Sequence, residues 1–263
     1  MTISSIFAPD LMAGTHSLIT GGGTGIGYGC ALELGFLGAK VTLAARREDV
    51  LQAACDKLLA QGIDAASYVL NIRDNDAVID VMERVTAERG LPDHLINNAG
   101  GQFASKADDI SANGFRAVMD LNVQGTWQMS SAFAQAHRQA ATPARIVNIV
   151  FAHIDAMERF AHAAAARAAV VNLTRTLALE WGEHDILVNA VGPGPIMTEG
   201  IAQYDESESG ATRIHQLPVP RWGEAREVAQ LVTYLLSPAG DWITGSFYPI
   251  DGGAQLVGRR WEV

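Results

Sequence analysis

Cysteine is scarce in this chain of 263 residues, which contains only Cys30 and Cys55. Both lie in helix-like segments without the paired spacing of a disulfide framework. We interpret them as small buried apolar residues of a protein in a reducing compartment. Clusters of histidine, cysteine and carboxylate with metal-ligand spacing are also missing, so we expect no metal site.

Positive charge is scarce as well, with 19 lysines and arginines against 29 acidic residues and a formal net charge of −10. This balance argues against an extended nucleic-acid partner, although a single small polyanion remains compatible with local basic residues. The stretch "MTISSIFAPDLMAG" has neither a basic nor a long apolar region, and no apolar run reaches about 18 residues. We therefore expect a cytoplasmic protein without membrane contact.

Short apolar runs that alternate with longer amphipathic segments make up most of the chain. The runs are "HSLIT", "KVTLAAR", "ASYVLNI", "DHLINN", "ARIVNIV", "DILVNAV" and "SFYPI". Strands that alternate with helices are typical of βαβ units, which build a parallel sheet covered on both faces. The sequence thus predicts one α/β domain over 1–263, with a cofactor half at about 14–150 and an irregular substrate loop at about 194–223.

The stretch "LITGGGTGIGYGCALELG" follows the first predicted strand and opens the first predicted helix. Gly21, Gly25 and Gly27 allow a tight turn and close approach to a pyrophosphate, which the helix N-terminus would bind. At the end of the second strand an NAD site would offer Asp or Glu to the ribose. This chain has Arg46 and Arg47 there, which suit a 2′-phosphate, so NADP(H) is expected rather than NAD(H).

These motifs, together with "NNAG" at 97–100, "LNVQG" around Asn122 and "PGPIMT" at 193–198, resemble the short-chain dehydrogenase/reductase family over nearly the whole chain. The resemblance implies a Rossmann-type, doubly wound, seven-stranded sheet and an oxidoreductase acting on a small molecule. It also implies a homodimer or homotetramer whose long helices pair across subunits. Asn122 would belong to a catalytic tetrad. The candidate cofactor-binding residues are Gly21, Thr24, Gly25, Ile26, Gly27, Arg46, Arg47, Asn71, Asn98, Ala99, Gly100, Arg167, Pro193, Gly194, Ile196 and Thr198.

The chain departs from the family at the usual catalytic residues of that family, which are a Ser and a Tyr-x-x-x-Lys pair. Alignment on "RIVNI" and "NLTRTLALEW" sets Phe151 at the Ser position, Ala163 at the Tyr position and Arg167 at the Lys position. Phe and Ala have no titratable proton, and an arginine with a pKa above about 12 cannot relay protons. Ordinary alcohol and ketone chemistry would therefore lack its acid and its polarising group.

A narrower resemblance is carried by "SIFAPDLMAG", "NNAGGQF" and "H-x-x-A-A-R" at 162–167, which are similar to peroxisomal trans-2-enoyl-CoA reductases and, more distantly, 2,4-dienoyl-CoA reductases. This resemblance implies NADPH-dependent reduction of a carbon–carbon double bond conjugated to a thioester. Such a site must chiefly stabilise an enolate. The alanine run at 163–166 departs from that branch and could serve helix packing alone.

The proton donor for this reaction stays open among the loop residues His153, Asp155, Glu158 and His162. A gapped comparison places His153 near a catalytic Tyr of dienoyl-CoA reductases, and histidine is a natural general acid. The favoured interpretation of His153 is nevertheless a polar loop residue without a catalytic role. His162 lies one helical step away from the face of 163 and 167 and could be structural.

Three functions follow from these observations: an enoyl-thioester reductase that uses NADP(H), a catalytically impaired cofactor-binding or scaffolding homologue, and a carbonyl reductase with a relocated acid. A coenzyme A substrate would favour basic residues at the mouth of the site. Arg213, His215 and Arg221 in the substrate loop are the candidates, with a solvated loop surface as the alternative.

Overall fold

The computed structural model describes residues 6–152, 156–198 and 211–257, and it contains a parallel sheet of seven strands. The seven apolar runs of the sequence each form one of these strands, so the predicted α/β class and strand positions are confirmed. A further pair of two-residue strands lies outside the main sheet. In chain order the strands are β1 (His16–Thr20), β2 (Lys40–Ala45), β3 (Ala65–Val69), β4 (His94–Asn97), β5 (Ala144–Ile149), β6 (Ile186–Pro193), β7 (Ile196–Met197), β8 (Gly223–Glu224) and β9 (Phe247–Ile250).

Helices cover both faces of the sheet, as the alternation of strand and helix predicts. They are α1 (Gly25–Phe36), α2 (Glu48–Leu59), α3 (Asn75–Arg89), α4 (Ala112–Met119), α5 (Gly125–Ala140), α6 (Ala161–Trp181) and α7 (Ala225–Leu236). A single π-helical turn, Asp120–Gln124, joins α4 to α5. Three helix starts are set by side chains: Asp74 accepts from N–H groups in the first turn of α3, Ser111 accepts from the N–H of Gly114 in α4, and Glu224 and Glu227 form a capping box on α7.

Two large apolar clusters hold these layers together, one on each face of the sheet. The first joins α1, α2 and α7 to the strands, with Leu34 and Val228 fully buried. The second joins α3, α5 and α6 to the opposite face, with Phe133 and Leu95 fully buried. No helix in the described part of the chain is long and apolar enough to cross a membrane.

The strand order of the main sheet is β3-β2-β1-β4-β5-β6-β9, and all pairings are parallel. The order reverses between β1 and β4, where successive crossovers go to opposite faces. In open α/β sheets of this kind, a crevice forms beyond the carboxyl ends of the strands at this switch point. The topology therefore places a binding site where the glycine loop after β1 faces the turn after β4.

Candidate active site

A cavity of about 780 Å³ occupies this switch point. Every candidate cofactor-binding residue except Gly27 lines it. The described lining also includes residues outside the predicted cofactor-binding set: Gly23, Ala44, Ala45, Val50, Leu70, Ile72, Gly101, Gln102, Leu121, Ile149 and Val150. Several of these stand at the carboxyl ends of β3 and β5, and that position was a signal that could have identified them.

The glycine loop after β1 is shaped for close approach of a ligand. Gly21 and Gly25 have φ angles of +65° and +55°, a conformation that residues with a side chain rarely adopt. A Cβ at Gly21 would stand 2.8 Å from Nδ2 of Asn98. The side chain of Thr24 makes no capping hydrogen bond, and the first turn of α1 contains no acidic residue. The N–H groups at the start of α1 are thus left to bind an anion.

Gly27 does not line the cavity, although it belongs to the same motif. A Cβ at this position would collide with the carbonyl oxygen of Gly21 and with Nδ2 of Asn98. Gly27 therefore allows α1 to pack against the loop that precedes it, and its contribution to a ligand is indirect.

The turn after β4 is tied to the glycine loop by side-chain hydrogen bonds. Nδ2 of Asn98 donates to the carbonyl oxygens of Thr20 and Gly21, both at 3.1 Å. The backbone N–H groups of Asn98 and Ala99 donate to Oγ1 of Thr20, both at 3.0 Å. These bonds hold the two walls of the cavity at a constant separation.

Three arginines supply all the charged side chains of the described lining: Arg46, Arg47 and Arg167. Arg46 and Arg47 follow β2, are exposed, and form no ion pair within the described residues. Asn71, after β3, accepts from the backbone N–H of Arg73 at 3.3 Å. An electropositive cavity in a protein of net charge −10 suits an anionic ligand.

Arg167 lies deeper, on α6, and is only 7 % exposed. Its Nη1 donates to the carbonyl oxygen of Ile149 at 3.0 Å, whereas its Nε has no hydrogen-bond partner. Burial lowers the pKa of the guanidinium to about 10, which leaves it charged at neutral pH. Gly100 packs against this group, and a Cβ there would collide with Nη2.

Asn122 does not line the cavity, and its side chain is engaged by backbone groups. Its Nδ2 donates to the carbonyl oxygens of Gly101 and Val118, both at 2.8 Å, and its Oδ1 accepts from the N–H of Gly101 at 3.2 Å. Asn122 lies in the π-helical turn, a feature that is frequent at functional sites. This geometry fits a positioning role for the Gly100–Gly101 segment.

The positions aligned with the missing catalytic Ser and Tyr hold apolar residues, and these residues pack against apolar neighbours. Phe151 follows β5 and lines the cavity, half-buried. Ala163 stands one helical turn before Arg167 on α6 and is buried in a small cluster with Val118 and Ala166. Neither position offers a proton to a molecule in the cavity.

The proton-donor candidates separate in space. His162 is fully buried, outside the cavity lining, with its ring edge-on to that of Phe103 at a centroid distance of 4.4 Å. Neither ring nitrogen makes a hydrogen bond of normal geometry, and burial lowers the pKa below its usual 6.5 against a smaller opposing effect of the Phe160 backbone. This environment favours the structural interpretation. Glu158 is exposed, and His153 and Asp155 lie outside the described residues.

The substrate loop is anchored at both ends. Ile196 and Met197 pair with Gly223 and Glu224 as β7 and β8. The expectation that Arg221 offers its charge to a ligand is not supported, because Arg221 forms a two-bond ion pair with Glu227 at 2.6 and 2.9 Å.

Of the other two basic candidates of this loop, only the side chain of His215 is among the described residues. His215 is exposed and absent from the lining. The side chain of Arg213 lies outside the described residues.

Comparison with known proteins agrees with this geometry. Residues 21–255 match a family described as Enoyl-(Acyl carrier protein) reductase. The chain is 36 % identical over 269 residues to a peroxisomal 2,4-dienoyl-CoA reductase of Arabidopsis thaliana, covering 98 % of this chain and 90 % of that protein.

Two solved structures are also similar. A short-chain dehydrogenase from Bacillus anthracis has a TM-score of 0.86 and 32 % identity, covering 93 % of this chain and 98 % of that one. A structure from Beutenbergia cavernae, described as an NAD(P)-dependent gluconate 5-dehydrogenase, contains NADP at low occupancy. It has a TM-score of 0.86 and 30 % identity, covering 94 % of this chain and 98 % of that one.

The fold, the site and these comparisons identify the chain as a member of the short-chain dehydrogenase/reductase family of oxidoreductases. The family resemblance and the Rossmann-type fold expected from the sequence are therefore confirmed.

Proposed function

We propose that this protein is an NADP(H)-dependent reductase that acts on a carbon–carbon double bond conjugated to a thioester. The observation that carries the proposal is the chemistry of the described cavity wall, which has three arginines and backbone donors but no aspartate, glutamate, histidine, lysine, tyrosine or cysteine. Similarity to dienoyl-CoA reductases supports the same reaction class.

The cavity wall suits the adenosine phosphate end of NADPH. The uncapped start of α1 would bind the pyrophosphate, and Arg46 and Arg47 would bind the 2′-phosphate through charge-assisted hydrogen bonds. Pro193, Gly194 and the segment up to Thr198 would form the wall at the nicotinamide end. NADPH, when bound, supplies a hydride.

The reacting end of the cavity suits charge development on an oxygen. Reduction of a conjugated alkene places negative charge on the thioester oxygen, and the permanent cation of Arg167 would stabilise that charge within a buried site. A ketone reductase must instead deliver a proton to the oxygen, for which the described lining has no group. The proton for the α carbon would come from water or from His153.

The cofactor part of the proposal is tested by replacing Arg46 and Arg47 together by alanine. Each charge-assisted hydrogen bond contributes about 1.5–3 kcal/mol, so the Kd of NADPH should rise roughly 100-fold while that of NADH changes little. Arg138→Ala, an exposed arginine on α5, is the matched control. Equal weakening of both nucleotides would contradict the assignment of these arginines to the 2′-phosphate.

The reaction is tested by turnover with trans-2-enoyl-CoA and 2,4-dienoyl-CoA substrates of graded length, alongside ketones and aldehydes. Oxidation of NADPH with the alkene substrates alone is the expected result. Turnover of carbonyl compounds only would refute the proposed reaction class and would indicate a relocated acid.

The apolar surroundings of Phe151 and Ala163 favour a second candidate, a cofactor-binding homologue without turnover. The same two assays separate it from the first. Selective NADPH binding without turnover of any thioester or carbonyl compound would support this second candidate and would overturn the first.

Assembly into a homodimer or homotetramer stays a prediction. A groove between α5 and α6, with half-exposed Trp127 and partly buried Leu173, is the surface where the long helices of two copies would pair. Light scattering of wild type and Trp127→Glu should show a larger species only for the wild type. The cytoplasmic location expected from the sequence also stays a prediction.

A further inference from the structure

The buried guanidinium of Arg167 has no carboxylate to balance it. Among the described residues, no aspartate or glutamate oxygen lies within 4 Å of it, and its one hydrogen bond goes to the neutral carbonyl of Ile149. Burial alone accounts for the shift of its pKa. Buried cations are normally paired, because an uncompensated charge in a protein interior costs several kcal/mol.

The surroundings hold the guanidinium at the cavity wall. Gly100 leaves the space that Nη2 occupies, and Ile149 fixes Nη1. The positive charge of Arg167 therefore affects any ligand that binds in the cavity. The described lining has no negative charge that would offset it.

The two redox forms of a nicotinamide dinucleotide differ by one charge at the ring, which is positive when oxidised and neutral when reduced. The phosphates are common to both forms, so the effects of Arg46, Arg47 and the start of α1 cancel when the forms are compared. A cation near the nicotinamide ring, by contrast, repels the oxidised form and not the reduced one, so its effect remains in this comparison.

We propose that Arg167 makes this site bind NADPH more tightly than NADP⁺, so that NADPH occupies the site and NADP⁺ is released after hydride transfer. This inference rests on the proposed cofactor. At an effective dielectric constant of about 20, two positive unit charges closer than about 12 Å have a repulsion energy that corresponds to at least a tenfold change in Kd. A tenfold preference raises the two-electron potential of the bound couple by about 30 mV.

The test is to measure the Kd values of NADPH and NADP⁺ for the wild type, Arg167→Lys and Arg167→Met. The wild type should bind NADPH at least tenfold more tightly than NADP⁺. The ratio of the two Kd values should be mostly retained in Arg167→Lys and should fall about tenfold in Arg167→Met. Arg175→Met, an exposed arginine of the same helix, is the matched control and should leave the ratio unchanged.

Thermal unfolding of the variants provides a second readout. Replacing an uncompensated buried cation by an apolar chain of similar length should leave Tm unchanged or raise it, so Arg167→Met is expected to be folded.

Two results would overturn the inference while leaving the proposed function intact. One is a wild-type ratio near unity, and the other is an unchanged ratio in folded Arg167→Met. Failure of the wild type to bind either nucleotide would instead refute the proposed function and the inference with it.

Discussion

Lowering the pH from 7.5 to 5.0 should destabilise the folded protein through two buried histidines at the amino ends of the strands. His16 is 4 % exposed and His94 is 1 % exposed. Nδ1 of His16 lies 3.0 Å from the carbonyl oxygen of Gly90 and must donate to it, so Nε2, at 2.8 Å from Oγ1 of Thr42, is the unprotonated acceptor. These two hydrogen bonds therefore hold the His16 ring in the neutral form.

Burial is the main cause of a low pKa at both sites, about 4 for His16 and about 3 for His94, against an ordinary value of 6.5. Because the folded state disfavours the charged form, these residues contribute full stability above pH 6.5. The contribution is lost as the pH falls from 6.5 toward 4 and 3. At pH 5.0 the loss is about 2 kcal/mol for each histidine, or about 4 kcal/mol together.

Urea unfolding of the wild type at pH 7.5 and 5.0, at one protein concentration, measures this difference. His94→Asn should reduce the pH-dependent loss by about 2 kcal/mol, since asparagine does not titrate in this range. His184→Asn, at an exposed position, should leave it unchanged. Equal stability of the wild type at both pH values, or the same loss in His94→Asn, would refute this reasoning.

Three further predictions concern single positions. Gly21→Ala should destabilise the protein by about 1–3 kcal/mol and weaken NADPH binding, because φ is +65° and a Cβ would press against Asn98; differential scanning calorimetry and titration check this. His153→Ala should lower kcat about 100-fold if His153 donates the proton, and an unchanged rate removes it from the mechanism. Glu227→Gln should lower stability by about 1 kcal/mol in thermal unfolding, since it weakens the α7 cap and the ion pair with Arg221; an unchanged Tm would contradict that role.

Much of the fold could be predicted because its signals are local. The centre of β2, at 41–44, is apolar except for Thr42 and is buried on both faces, and a parallel sheet needs such runs separated by helices. The glycine loop and the arginine pair follow successive strands, and parallel strands bring their carboxyl ends to one edge of the sheet. Gly21 and Arg46 could thus be expected at one site without knowledge of the contacts between them.

Other features of the site depend on which side chains meet in the folded chain. The pairing of Arg221 with Glu227 depends on how the substrate loop meets α7, and the burial of His162 depends on where Phe103 lies. A residue type alone does not distinguish a charge that is available to a ligand from one that a neighbour neutralises.

The sequence by itself determined the order of strands and helices, the anion-binding loop and the absence of a Tyr-x-x-x-Lys pair, because these follow from residue types at short spacing. Only the tertiary structure decided that Arg167 is buried beside Gly100 without a described carboxylate partner, and that the side chain of Asn122 is engaged by Gly101 and Val118. Charge compensation and hydrogen-bond satisfaction depend on which residues meet in space, and segments far apart in the chain supply those partners.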